Sequence, residues 1–157
     1  CSLLAEICAW AKDNGKTLYD VLMEIYVDYG FSREVTVNVV KPGKSGADEI
    51  KAMMENFRAN PPKELGGSPI VLTKDYKVLK QTDNAGNVSD LDMPETSNVI
   101  QYFCEDGTKV SVRPSGTEPK IKFYIEAKGT MRCAGCYSSA NASAIEKIEG
   151  VKKSLGI

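Results

Sequence analysis

The chain of 157 residues contains no histidine, and that absence excludes more chemistry than any other feature of its composition. Without imidazole there is no histidine-based nucleophilic triad and no histidine-ligated zinc site within these residues, and the commonest general acid/base at neutral pH is missing. Neither sign of charge is in excess: 20 Lys and Arg stand against 21 Asp and Glu, a formal net charge of −1. That balance supplies no electrostatic footprint for nucleic acid or an anionic membrane. No apolar run approaches the length of a bilayer span, so neither nucleic acid nor membrane is indicated as a partner. A secretory leader pattern is lacking too; the chain opens on Cys1-Ser2-Leu3-Leu4, mid-pattern and without an initiator methionine, and the expectation is a piece of something longer.

Cysteine is sparse and odd in number. Cys1, Cys8 and Cys104 sit singly in apolar patterns, and only Cys133 and Cys136 make a CxxC pair. A structural zinc site would need two further ligands, and a thioredoxin-like motif a strand before the pair and a helix opening at it. The expectation is reduced, non-catalytic thiols in a cytoplasmic protein, with a redox or metal role as the alternative. Asp83, Asp90 and Asp92 fit no calcium-loop spacing and read as a polar loop, so no metal ligands are assigned.

What remains is the composition of an ordinary globular protein, long enough to bury one full core. Leu3, Leu4, Ile7, Cys8 and Ala11 recur at helical spacing and stop at Asn14-Gly15. A second helix follows, with Thr17 and Asp20 as a capping box, Leu18, Val21, Leu22, Ile25 and Tyr29 as the apolar stripe, and Gly30 as a left-handed C-cap. From Phe31 the period changes to two, with Val35, Val37 and Val39 on one face. After Pro42-Gly43, Ser45 with Asp48 reads as a cap for a helix carrying Ile50, Met53, Met54 and Phe57, which ends before Pro61-Pro62. Ile70 to Tyr76 reads as a strand, residues 81–94 as a polar connection without periodicity, and Val99–Glu105 and Thr108–Arg113 as strands joined by an Asp106-Gly107 hairpin turn. The small-residue run from Ser138 to Ala142 reads as a loop entering a last helix marked by Ile145, Ile148, Val151 and Leu155. The order is β-α-β-β-β-α, an α+β layer of helices on a mainly antiparallel sheet.

The densest chemistry lies in seven consecutive residues, Arg113-Pro114-Ser115-Gly116-Thr117-Glu118-Pro119. Arginine offers a planar fork matched to phosphate oxygens, Ser115 and Thr117 add hydroxyl donors, and Gly116 has no side chain to keep an anion away. Backbone N–H groups around such a glycine can form an anion nest, and the two prolines restrict the loop before a ligand arrives. If Val110 and Val112 face the core, Arg113 faces the other way; Lys122 alternates with Ile121 and Phe123 in the next strand, so it can share that neighbourhood. Glu118 is awkward beside an anion and should point away or pair with a cation when the site is empty.

This loop, followed by Lys120-Ile121-Lys122-Phe123-Tyr124, closely resembles the phosphate-binding loop and next strand in the C-terminal domain of α-D-phosphohexomutases, the phosphoglucomutase and phosphomannomutase enzymes. Leu18 to Gly30, with Glu24-Ile25-Tyr26-Val27-Asp28-Tyr29-Gly30, is similar to the segment leading into that domain in the phosphoglucomutase and phosphopentomutase branch. The resemblance implies a four-stranded, mainly antiparallel sheet with two helices on one face, like the TATA-box-binding protein, over residues 31–157, with residues 1–30 as the closing helices of a preceding third domain. It implies a substrate-phosphate site at Arg113, Ser115, Gly116, Thr117 and Lys122. It also implies a sugar phosphate as ligand, glucose or mannose 1- or 6-phosphate with pentose phosphate left open, and upstream domains of the same polypeptide as partners. The family's catalytic serine, its Mg²⁺ loop and its sugar-recognition loop belong to earlier domains, and no segment here resembles them; no catalytic residue or cofactor is assigned to this chain. The alternative is a stand-alone anion-binding or regulatory module.

Overall fold

The computed structural model describes residues 1–43 and 45–157, which divide into two compact units, Cys1–Arg33 with Lys128–Ile145 and Glu34–Ala127 with Glu146–Ile157. The first contains helices α1 (Ser2–Asp13) and α2 (Leu18–Tyr29), the start of strand β1 (Phe31–Val40), the end of β8 (Lys120–Gly129) and the first half of α4 (Tyr137–Leu155). The capping box is present: the Thr17 hydroxyl accepts from Asp20 N–H, and Asp20 accepts from Thr17 N–H at 2.8 Å. Gly30 has φ 99° and ψ 149°, so it does not curl back as the expected left-handed cap; it needs a glycine's positive φ to turn the chain directly into β1. Met23 rather than the Leu22–Ile25 stripe is buried in α2, and Leu3, Leu4, Trp10, Ile25 and Tyr29 are exposed.

Small residues in α4 have a packing role in the same unit. The run Ser138–Ala142, expected as a loop, is helical, with Ala140 and Ala144 buried. A Cβ on Gly129 would lie 2.9 Å from the Ala140 carbonyl oxygen and 2.7 Å from the Phe31 ring, so the strand end and the helix approach as closely as backbone allows. Phe31 packs edge-on against Tyr26 and Tyr137, with centroids 5.0 and 5.6 Å away.

The second unit is built on helix α3 (Gly46–Ala59), the second half of α4 and the sheet strands β2 (Glu64–Leu65), β3 (Ser68–Asp75), β4 (Lys80–Asp83), β5 (Val88–Asp90), β6 (Ile100–Cys104), β7 (Lys109–Pro114) and most of β8. The sheet order is β1-β8-β7-β6-β3-β4-β5, with β2 on β3. It is wider than the four strands expected, in part because the polar stretch after Gln81 forms a hairpin: Asp83 accepts from the N–H groups of Ala85 and Asn87 and from the Asn87 side chain, closing a turn that propensity alone did not reveal. Asn87 chiefly holds the Asp83 carboxyl below its ordinary pKa, and Asp90 pairs with Lys80. Asp106-Gly107 does join β6 to β7, Gly107 taking φ 81°.

Alternation sets the core face of this sheet. Ile100, Tyr102, Val110, Val112, Ile121, Phe123 and Ile125 are buried, and α3 covers them through Ile50 and Met54. Phe57 meets Phe123 edge-on at 5.9 Å, and the Tyr102 hydroxyl donates to the Phe57 carbonyl at 3.0 Å. Ser45 does not cap α3: it already has helical dihedrals, which keep its hydroxyl from the third N–H, and it donates instead to Glu49.

Candidate functional site

Strand β7 delivers Arg113 to the sheet face opposite the core, where the β7–β8 ladder sets it directly across from Lys122. The same ladder pairs Lys109 with Glu126, which form an ion pair at 2.6 Å. Cross-strand opposite charges stabilise a sheet and like charges destabilise it. The end of the ladder nearest the loop therefore holds two facing cations, and among the described residues the Arg113 side chain makes no ion pair or hydrogen bond.

The loop itself is closed from its two ends. Ser115 N–H donates to the Lys120 carbonyl at 2.8 Å, Lys120 N–H to Glu118 at 2.7 Å, and Lys41 N–H to Pro119 at 2.9 Å. These bonds consume the Ser115 N–H that an anion nest would use. They leave the N–H groups of Gly116 and Thr117, and the hydroxyls of Ser115 and Thr117, without a partner among the described residues. Gly116 is required by neither conformation nor packing, since its φ lies outside the left-handed region and a Cβ there would meet no atom within 4 Å. Glu118 pairs with Lys120, and that hydrogen bond, with the fields of Lys120 and then Lys122, holds its carboxyl below its ordinary pKa.

Ser115, Gly116 and Thr117 line one wall of a cavity of about 480 Å³, and Ile50, Lys51 and Met54 of α3 line the other. Arg113 and Lys122 are not part of that lining; they flank the loop on the sheet face. Arg58, Lys77 and Asn98 are among the cavity residues not anticipated from the sequence. Arg58 is committed within the protein, donating to Asp75 at 2.9 Å and Asn98 at 2.7 Å, whereas neither Lys51 nor Lys77 has a side-chain partner among the described residues. Helical spacing puts Arg58 one turn beyond Met54, but no motif marks it, and Asn98 lies 40 residues away. Among the described residues no group of three or more His, Cys, Asp or Glu could hold a metal ion, so the Mg²⁺ that the resemblance implies for a full enzyme finds no ligand set in them. Among the described residues no helix is long and apolar enough to cross a membrane.

Cys133 and Cys136, expected as reduced thiols, are joined in a disulfide. The 3₁₀ turn Ala134–Cys136 brings their Cα atoms to 5.3 Å, inside the range that a disulfide spans. Cys104 behaves as expected of a core thiol, its pKa pushed up to about 11 chiefly by burial.

The family model described as "Phosphoglucomutase/phosphomannomutase, C-terminal domain" matches residues 34–136. The chain belongs to this family. A phosphoglucomutase of Staphylococcus haemolyticus is 34% identical over 123 residues, 78% of this chain and 22% of that protein. One from Staphylococcus aureus is 36% identical over 128 residues, 80% of this chain and 23% of that protein. The chain thus spans about a fifth of the length of the phosphoglucomutases it matches. Pp63/parafusin, a Paramecium phosphoglucomutase solved in an open form, aligns over 90% of this chain and 24% of its own with 13% identity and a TM-score of 0.41. The matched span of the phosphohexomutase domain includes α3, the whole β6–β7 hairpin and the loop 113–119, so the geometry above belongs to the family-defining part of the chain.

Proposed function

We propose that this chain is the phosphate clamp of a phosphohexomutase that interconverts sugar 1-phosphates and 6-phosphates, and that Arg113, Ser115, Gly116, Thr117 and Lys122 hold the phosphate that is not reacting. One observation carries the reading: beside a loop whose Gly116 and Thr117 N–H groups and Ser115 and Thr117 hydroxyls have no partner among the described residues, two cations face each other across one sheet ladder with no counter-charge ion-paired to either side chain among those residues. A dianionic phosphate would supply that charge. Its oxygens would accept from the Arg113 fork, from both hydroxyls and from the Lys122 ammonium, while the open space before Gly116 lets it approach the backbone. Gripping the distant phosphate places the other end of the sugar against catalytic groups that the family resemblance puts in earlier domains, together with Mg²⁺. Because phosphate geometry is the same at either end of the sugar, one clamp serves both halves of a reaction that passes through a bisphosphorylated sugar.

Residues 1–30 are then the end of the third domain and 31–157 the fourth, in a cytoplasmic enzyme, and opening near Gly30 would let the intermediate turn round. The fragment alone should show no turnover of glucose 1-phosphate with Mg²⁺ and a bisphosphate activator. A few charge-assisted hydrogen bonds of about 1.5–3 kcal/mol each, less the cost of association, leave an affinity on the order of millimolar for phosphate alone. The test is a titration of the ¹⁵N-labelled chain with inorganic phosphate and with glucose 1-phosphate, followed by amide shifts. Saturable shifts clustered at residues 113–117 and 122 are expected. Shifts confined to the Asp83 turn or to Cys133 would overturn the assignment.

A further inference from the structure

The disulfide lies in the other compact unit from the phosphate loop, and its surroundings have the two features a thiol-exchange motif needs. Strand β8 ends at Gly129 ahead of it, and α4 opens at Tyr137, the residue after Cys136. Cys133 is exposed and Cys136 half-buried, so one sulfur is offered to solvent and the other is tucked against the helix start. The bond closes a loop of sequence separation 3, for which the unfolded-state constraint is least, so stabilisation by cross-linking does not account for it well. The 3₁₀ turn inside that loop is already held by Cys136 N–H donating to the Cys133 carbonyl at 3.0 Å, and Ser139 Oγ donates to the Cys136 carbonyl at 2.9 Å. The turn therefore keeps both sulfurs close when the bond opens. A thiolate released there lies at the positive end of a 19-residue helix, which favours the reduced form.

We propose that Cys133–Cys136 is a thiol–disulfide exchange site that accepts electrons from a dithiol reductant. The reductant's thiolate attacks Cys133 Sγ, forming a mixed disulfide and breaking the Cys133–Cys136 bond, and Cys136 leaves as the thiolate. The reductant's second thiolate then attacks its own sulfur in the mixed disulfide, and Cys133 leaves. The protein gains two electrons and two protons, and the dithiol becomes a disulfide. Tyr137 transmits the change: its ring lies 5.6 Å from Phe31 and 6.4 Å from Tyr26, so loosening of the turn reaches the aromatic cluster.

The folded chain, treated with or without dithiothreitol, is alkylated with iodoacetamide and mapped by mass spectrometry. Without reductant only the exposed Cys1 and Cys8 should label; with it, Cys133 and Cys136 should label as well, while buried Cys104 stays protected and reports an intact fold. Labelling of the pair before reduction, or its resistance to dithiothreitol in the folded chain, overturns the proposal. Cys136→Ser should form a mixed disulfide with oxidised glutathione at Cys133 roughly tenfold faster than Cys133→Ser does at Cys136; equal or inverted rates refute the assignment of the attacked sulfur. Near-ultraviolet circular dichroism from tyrosine should change on reduction, and an unchanged spectrum refutes the link to Tyr137. None of these readouts depends on phosphate binding.

Discussion

Arg113 stands opposite Lys122 in the β7–β8 ladder, two cations in the position where Lys109 and Glu126, four residues along the same strands, make an ion pair. A pair of this kind is a local cost in the empty protein and a gain once an anion arrives. Replacing Lys122 by Gln should therefore raise stability at low salt by about 0.2–1 kcal/mol while weakening phosphate binding, a combination that thermal melts and phosphate titration read together. Arg113→Ala should weaken phosphate binding by about tenfold or more, Arg113→Lys should recover only part, and Lys109→Ala should leave it within about twofold. A loss of affinity in Lys109→Ala equal to that in Arg113→Ala would mean the effect is general charge rather than a clamp.

Gly116 separates ligand space from folding. Since a Cβ there meets nothing and the backbone conformation is open to any residue, Gly116→Ala should change unfolding free energy by no more than about 0.5 kcal/mol. Its methyl group would stand where the anion must approach, so phosphate affinity should fall several-fold. A stable variant with unchanged affinity would show that the anion binds elsewhere.

Glu118 is the internal anion of the empty loop. Its bond to Lys120 and its proximity to Lys122 draw on the cations that a phosphate would use. Glu118→Gln should raise phosphate affinity a few-fold by removing the like charge, most clearly at low ionic strength. Weaker binding in that variant would show that the ion pair instead shapes the loop for its ligand.

Acid should be felt at the β6–β7 turn. Burial raises the pKa of Asp106, but hydrogen bonds from Lys147 and Thr108 outweigh it and hold the carboxyl at about 2 against an ordinary 3.8. A carboxylate lowered in the folded state adds stability above its unfolded value and loses it as pH falls, here from about pH 4 to about pH 2. With its partial exposure discounted for solvent screening, the contribution is about 1 kcal/mol at neutral pH. Asp106→Asn should be less stable than wild type at pH 7, and the difference in denaturant midpoints should shrink toward pH 2. A gap that stays constant across this range would place the effect in packing instead.

Local chemistry alone was enough for several features. The Thr17/Asp20 box, the Asp106-Gly107 turn, the alternation that buries Val110, Val112, Ile121 and Phe123, and the existence of α1 to α3 and of strands β1, β3, β6 and β7 were all legible, because each depends on residues within a few positions of one another. The seven-residue loop was legible as well, as a family motif. Other features were decided by groups far apart in sequence or by hydrogen bonds that propensity does not weigh. The stretch after Gln81 is a hairpin because Asp83 gathers the N–H groups of its own turn and β3 supplies an edge to pair with. The run Ser138–Ala142 is a helix that packs against the end of β8, where a Cβ on Gly129 would lie 2.9 Å from the Ala140 carbonyl oxygen, a contact between segments that local pattern does not show. Arg58, Lys77 and Asn98 share a cavity with the loop only once α3 lies over the sheet, and Cys133 meets Cys136 in a disulfide because a 3₁₀ turn sets their spacing. Short-range pattern determines which segments form and which face each residue takes, whereas the neighbours a side chain acquires from distant segments depend on the packing of whole elements, which pattern does not encode.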